Sequence, residues 1–492
     1  MLPTDCMLMK MKVKVSATYA ILFLILLVTA TTSVSAESLL ASVAPDEPQP
    51  GIINNKVVCK NNSEQTYALY LPAGYSASRK WPLVAAFDPG ARGNIPVEQF
   101  KVAADRYGYI VCGSNNSRNG PIQPSAEAAK AMLEDVGTRF SIDAKQVYLT
   151  GFSGGARAAT AIASWLKDQI AGVIGCGAGF AVGLEPSSSL PFIFYGTIGT
   201  DDFNFPEMKQ LDRALSASGA VHHVEVFEGG HNWAPPDVCV KAIEWMELQA
   251  MKSRRRTQDE QFIDRLLKSA EEAANAYESD GRVYEAYVAY SGIAIDYKGI
   301  RDVSQFEKKA SVLKDSRSVK QALSKERELE IEQMRRSSEL FDLKSKALRW
   351  SNDASTQQAF LIDLKRIVSD LKRKSDAKEG SVERSLALRV LNQYTIGSFE
   401  QSMALIQSKK FDQAVANLAI DAEAMPDNWR VWYNLACAAS LNGDKRRALD
   451  ALNKAVQKGF SNVQELERNP QLDAIREEAG FKKIVDGLRQ KC

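Results

Sequence analysis

Residues 146–166 read QVYLTGFSGGARAATAIASWL. Gln146–Thr150 has the apolar clustering of a buried strand, and Ala156–Leu166 reads as a helix. Between them stands Gly151-Phe152-Ser153-Gly154-Gly155, a G-x-S-x-G string. A chain that passes from strand to helix in so few residues turns sharply at the serine. The turn forces strained backbone angles there and demands small residues two positions to either side. It also lifts the Ser153 hydroxyl clear of the sheet and sets it at a helix N-terminus, where peptide dipoles favour developing negative charge. A serine that merely caps the helix fits the same string, so the reading depends on what else the chain supplies.

A serine hydroxyl is a poor nucleophile near neutral pH and needs a general base. The chain has three histidines, His222, His223 and His231. The first two open an apolar strand-like run, Val221–Phe227, and read as strand residues, one facing in and one out. His231 follows that run in Phe227-Glu228-Gly229-Gly230-His231-Asn232-Trp233, a glycine-flexed loop beyond a strand's C-terminal end, where an open α/β sheet places its site. The base must be oriented by a carboxylate. The loop after Phe192–Tyr195 offers Asp201 and Asp202, and Gly199-Thr200-x-Asp202 matches a G-x-x-D turn, which favours Asp202 over Asp201. An oxyanion needs two N–H donors. Gly154 should give one. The other should come from Asp88-Pro89-Gly90-Ala91-Arg92-Gly93, where Pro89 has no N–H and Gly90 or Ala91 remains. Asn115, Asn116 and Trp233 either line the cleft or are ordinary loop residues.

Working outward, Lys56–Cys59 and Tyr67–Leu71 read as an opening hairpin. Leu83–Phe87, Tyr109–Cys112, Val147–Leu149, Ala171–Ile174, Phe192–Tyr195 and Val224–Phe227 read as further strands, with helix-like stretches at 125–140, 155–167, 206–217 and 236–250. Alternating helices and continuously apolar strands imply an α/β fold, a largely parallel sheet covered on both faces. On the elbow GFSGGAR, the G-T-x-D loop and the GGH loop, residues 52–250 resemble the single-domain α/β-hydrolases grouped with dienelactone hydrolases, feruloyl esterases and polyhydroxybutyrate depolymerases. That resemblance implies ester hydrolysis on Ser153, Asp202 and His231 without naming a substrate. One departure is Asp88-Pro89, where those families usually carry His-Gly. A serine peptidase with the same three residues, and a non-catalytic binding protein acting through its helical half, are the alternatives. The chemistry needs no cofactor and no metal.

Proline divides the chain. Fifteen of the 17 prolines lie at or before Pro236, and none occurs from Asp237 to Met425, so that run is expected to be helical almost throughout. The division falls near Lys252–Glu260, where Arg254–Arg256 reads as a solvated linker. An α/β domain over 37–252 is therefore followed by a helical region over 253–395, with a divergent helical hairpin at 262–298 and long charged helices at 303–375. Over 396–492, Ala414 and Ala448, like Leu418 and Leu452, recur with the 34-residue period of tetratricopeptide helix pairs. The segment from YNLACAASLNGDKRRALDALNKAVQKGF onward resembles the terminal repeats of bacterial tetratricopeptide proteins. Such stacked helices serve mainly to bind proteins or peptides. The candidate triad precedes residue 232, so residues 37–252 are expected to hold a complete site. The helical half would then set location, partner or oligomeric state, or act as a brace. The short chain between Ser153 and the aspartate loop leaves no room for a large lid, so an open cleft for small or polymeric esters is expected.

Residues 1–36 read as a signal peptide: a basic start with Lys10, Lys12 and Lys14, the apolar run 17–30, then Ser33-Val34-Ser35-Ala36. The run is short for a bilayer span, and the mature chain is expected to be secreted or periplasmic; left uncleaved, the segment would be a membrane anchor. A net charge of +2 argues against nucleic acid as the main partner. Cysteines 59, 112, 176, 239, 437 and 492 survive cleavage, with no pairing assignable. Cys112 and Cys176 lie in strand-like runs and read as small core residues.

Overall fold

The computed structural model describes residues 48–490, and the expected signal peptide lies outside the described residues. Eight strands form one sheet: β1 (Ile53–Cys59), β2 (Asn62–Tyr70), β3 (Trp81–Phe87), β4 (Ile110–Ser114), β5 (Ile142–Phe152), β6 (Gly172–Cys176), β7 (Ile193–Gly199) and β8 (His222–Phe227). Their order is β1-β2-β4-β3-β5-β6-β7-β8. β2 runs antiparallel to β1 and β4, and every later pairing is parallel. Parallel strands need crossovers, and those crossovers put helices on both faces. On one face lie α2 (Ile122–Arg139), α3 (Gly154–Leu166) and α4 (Phe205–Ser218), burying Met132, Ile162 and Leu215 against Leu83, Leu149 and Phe194. On the other lie α1 (Asn94–Tyr107) and α5 (Pro236–Lys252), burying Phe100, Ile243 and Met246 against Val84, Tyr148 and Ile174. Each such fully buried side chain contributes about 1.5–3 kcal/mol of burial free energy. This is the α/β-hydrolase fold, and its central strand β5 delivers the chain to Ser153.

α1 escaped the sequence reading. Its apolar residues Val97, Phe100, Ala103 and Ala104 all face the core, and Pro96 stands near its start. Proline is tolerated there because it lies in the first helical turn, where N–H groups have no intrahelical acceptor.

The helical half begins with α6 (Glu260–Ser279), α7 (Val283–Asp296) and α8 (Ser304–Asp315), which share a core with Leu248 and Met251 of α5. It continues through the long α9 (Arg317–Arg349), α10 (Ala354–Ser375) and α11 (Val382–Gln407), then α12 (Phe411–Ala424), α13 (Trp429–Leu441) and α14 (Lys445–Gln457). The two members of each 34-residue pair, Ala414 with Ala448 and Leu418 with Leu452, are buried in one cluster. Arg254 and Arg255 are exposed, as a solvated linker requires, but Arg256 pairs with Glu247, which is buried and also accepts from Tyr109 Oη. The five cysteines from Cys59 to Cys437 are unpaired and buried. Among the described residues, no helix is long and apolar enough to cross a membrane.

Candidate active site

The elbow is built by close backbone approach. A Cβ on Gly151 would lie 2.1 Å from Gly155 O, and one on Gly155 would lie 1.9 Å from Phe87 O. Only glycine lets β5, β3 and the start of α3 meet this closely. Ser153 is held at φ 53°, ψ −121°, and its N–H is committed to Cys176 O at 2.8 Å. Its side chain is thereby aimed off the end of the sheet. A non-glycine residue in this region costs about 1–3 kcal/mol and persists only where the surroundings enforce it.

The structure brings Ser153, His231 and Asp202 together. The Ser153 hydroxyl lies 2.9 Å from His231 Nε2, and both Asp202 carboxylate oxygens lie 2.9 Å from His231 Nδ1. A fully buried carboxylate at Nδ1 keeps the imidazole proton on that nitrogen, leaving Nε2 free to accept from the serine. The ring is held between Phe152 and Phe203, whose centroids stand 4.5 and 4.3 Å away. Asp202 also accepts from Asn204 N–H at 2.8 Å. Asp201, one residue away, faces elsewhere: its carboxylate pairs with Arg384 of α11 at 3.1 Å.

The expected oxyanion donors behave differently from one another. Gly154 is the first residue of α3, so its N–H has no intrahelical acceptor. Gly90 and Ala91 are both turned onto Asp88: Gly90 N–H donates to Asp88 Oδ1 at 2.8 Å and Ala91 N–H to Asp88 O at 3.2 Å. The buried Asp88 carboxylate explains the first of these, since it also accepts from Arg92 Nε at 2.9 Å and Trp233 Nε1 at 2.8 Å, whereas the Ala91 bond is a backbone turn onto the Asp88 carbonyl. Gly90 and Ala91 are therefore not free donors in this structure.

Trp233 and Asn115 also depart from expectation. Trp233 is buried with its N–H committed to Asp88, and it braces Phe152 instead of lining a cleft. Asn115 accepts from Gly93 N–H at 3.1 Å and donates to Asn55 O at 3.0 Å, tying loops together. Asn116 does the same between Thr66 and Glu64.

A residue the sequence reading missed stands beside Ser153. Asn119 is exposed, its backbone N–H donates to Pro89 O, and its carboxamide lies so close to Gly154 that a Cβ there would sit 1.8 Å from Asn119 Oδ1. No local pattern marks it; only the packing of its loop on Pro89 and Gly90 brings it here. Among the described residues, no group of three His, Cys, Asp or Glu side chains could hold a metal ion.

No family model matches the sequence, and a comparison with curated proteins finds no similar chain. Among solved structures, the chain is similar to a feruloyl esterase module from Clostridium thermocellum, with 17% identity and a TM-score of 0.32 over 41% of this chain and 90% of that one. It is similar to S-formylglutathione hydrolase from Staphylococcus aureus, with 16% identity and a TM-score of 0.30 over 37% and 90%. A third is an esterase from Pyrobaculum calidifontis, with 10% identity and a TM-score of 0.33 over 41% and 87%.

Proposed function

We propose that this chain is an exported serine hydrolase that cleaves carboxylic esters through an acyl-enzyme on Ser153. The observation that carries the reading is the continuous Ser153–His231–Asp202 hydrogen-bond chain at the mouth of a strained elbow. His231 Nε2 takes the hydroxyl proton as Ser153 Oγ attacks the ester carbonyl. The resulting imidazolium then protonates the departing alcohol, and the same nitrogen next draws a proton from water to release the acid. Asp202 stabilises the transient imidazolium throughout. The oxyanion is met by Gly154 N–H. With Gly90 and Ala91 committed to Asp88, the Asn119 carboxamide beside Gly154 is the candidate for the second donor; Oδ1 is its atom closest to Gly154, so the amide must turn to present Nδ2 to the oxyanion.

Residues 1–36 support export, with their basic, apolar and small-residue segments in signal-peptide order. The 34-residue period supports a tetratricopeptide-like character for the end of the helical half. A dead scaffold has no physical reason to hold three side chains in bonding order. The test is covalent: a fluorophosphonate probe should label the full chain, and Ser153→Ala should abolish labelling. A panel of acyl esters and peptides then separates esterase from peptidase. Labelling that survives in Ser153→Ala places the nucleophile elsewhere.

A further inference from the structure

Asp202 lies in the loop between β7 and α4, and a triad works only if that loop is held still. The sheet half holds one side of it. Thr200 N–H donates to Phe227 O at 2.8 Å, Asp201 N–H to Gly229 O at 2.7 Å, and Asn204 Nδ2 to Gly177 O at 2.8 Å. The other side is held from the helical half. Arg389 of α11 donates from Nε to Thr200 O at 2.6 Å and lays its guanidinium 3.7 Å above the Phe205 ring. Arg384 of the same helix pairs with Asp201 at 3.1 Å. Gln333 of α9, itself buried, donates from Nε2 to Phe203 O at 2.8 Å. Three side chains thus reach the residues on both flanks of Asp202, and Phe203 is one of the two residues whose rings pack on His231.

The support behind these side chains is stiff. α9 is riveted to α4 by Arg213–Glu330, bidentate at 2.9 and 2.6 Å, and by Lys209–Glu326 at 3.1 Å. Planar, two-point arginine contacts fix direction as well as distance.

We infer that the helical half is part of the catalytic unit, with Arg389, Gln333 and Arg384 as positioning residues that hold the Thr200–Phe205 loop so that Asp202 and Phe203 meet His231. This rests on the triad reading above and replaces the expectation that residues 37–252 hold a complete working site. It also gives the helical half a role in turnover: a ligand that displaces α9 or α11 displaces the acid loop with them.

Arg389 adds an electrostatic contribution. Burial pushes its guanidinium down to about 10, while Asp201 and Asp202 of the loop and Glu326 and Glu330 of α9 favour its charge. Lys209 and Arg213 offset the two glutamates, and Arg384 offsets Asp201. The planar guanidinium holds the loop by direction as well as by charge, so a lysine at 389 should keep only part of what the arginine does.

The experiment measures the rate of fluorophosphonate labelling, and kcat and KM on a soluble ester, in the full chain for wild type, Arg389→Ala, Arg389→Lys and Gln333→Ala. Each protein is checked for folding by circular dichroism and thermal melting. Arg389→Ala should label at least tenfold more slowly and lose kcat with little change in KM. Arg389→Lys, which keeps the charge but not the planar contact, should restore only part of the rate. Gln333→Ala should slow labelling severalfold, again with KM little changed. A folded Arg389→Ala with wild-type labelling rate and wild-type kcat overturns the inference. If that variant does not fold, wild-type rates in both Gln333→Ala and Arg384→Gln overturn it equally, and slowed rates support it. Wild-type protein that is not labelled at all, or labelling that persists in Ser153→Ala, instead overturns the triad on which the inference stands.

Discussion

Asp201 and Asp202 are adjacent, carry the same carboxyl group, and do different work. Asp202 is fully buried against His231, whereas Asp201 faces Arg384. Asparagine at 202 would present an amide to Nδ1 and favour the wrong imidazole tautomer, so Asp202→Asn should lower kcat by about 10⁴-fold, as in other triads. Asp201→Asn removes one ion pair at the loop edge and should cost far less. Steady-state kinetics on a soluble ester check the ranking, and the reverse order would transfer the role to Asp201. On the proposed mechanism, Asn119→Ala beside Ser153 should lower kcat by about 10²-fold with little change in KM, since an oxyanion donor binds the transition state more tightly than the ester. A change confined to KM would make Asn119 a substrate contact.

At the scale of the element, the β5–α3 elbow stores strain that its glycines permit and its serine bears. Ser153 sits at a positive φ that glycine adopts freely. Two inactive variants therefore separate strain from chemistry: Ser153→Gly should melt higher than Ser153→Ala, by about 1 kcal/mol if the strain is at the low end of its range. Equal melting temperatures would mean the turn is not strained. Gly155→Ala should be lost altogether, because its Cβ would stand 1.9 Å from Phe87 O, and backbone of a central strand cannot yield as a flexible side chain would.

Across the whole molecule, a second junction joins the two halves away from the acid loop. His223 of β8 stacks on Tyr195 at 4.9 Å and lies 3.6 Å from Asp296, at the end of α7, and 3.5 Å from Glu225. Asp296 also accepts from Trp245 Nε1 at 2.8 Å. Burial opposes charge on His223, but Asp296 and Glu225 outweigh it and push the imidazole up to about 10 from an ordinary 6.5. A folded-state value above the unfolded one means stability that is full below about pH 6.5 and lost as pH rises through about 10. Melting temperature should accordingly fall across that window, and His223→Gln should flatten the fall. A profile unchanged by the substitution would assign the alkaline loss to other groups.

How much of this was legible along the chain depends on how far each cause reaches. The elbow, the loops that carry Asp202 and His231, and each strand and helix of the alternation are marked by residues within a turn or two of each other. Periodicity and forced backbone angles act at that range, so the sequence by itself determined the fold class and singled out the three side chains that the structure brings into contact. Only the tertiary structure decided which N–H groups are free. Asp88 captures Gly90 locally but takes Trp233 from 145 residues away. Asn119 reaches Gly154 only because two loops pack. The arginines that hold the acid loop lie 183 and 189 residues from their partners, and Gln333 lies 130 from its own. A hydrogen bond is specified by the coincidence of donor and acceptor in space, and no local pattern encodes a coincidence that the packing of two halves creates.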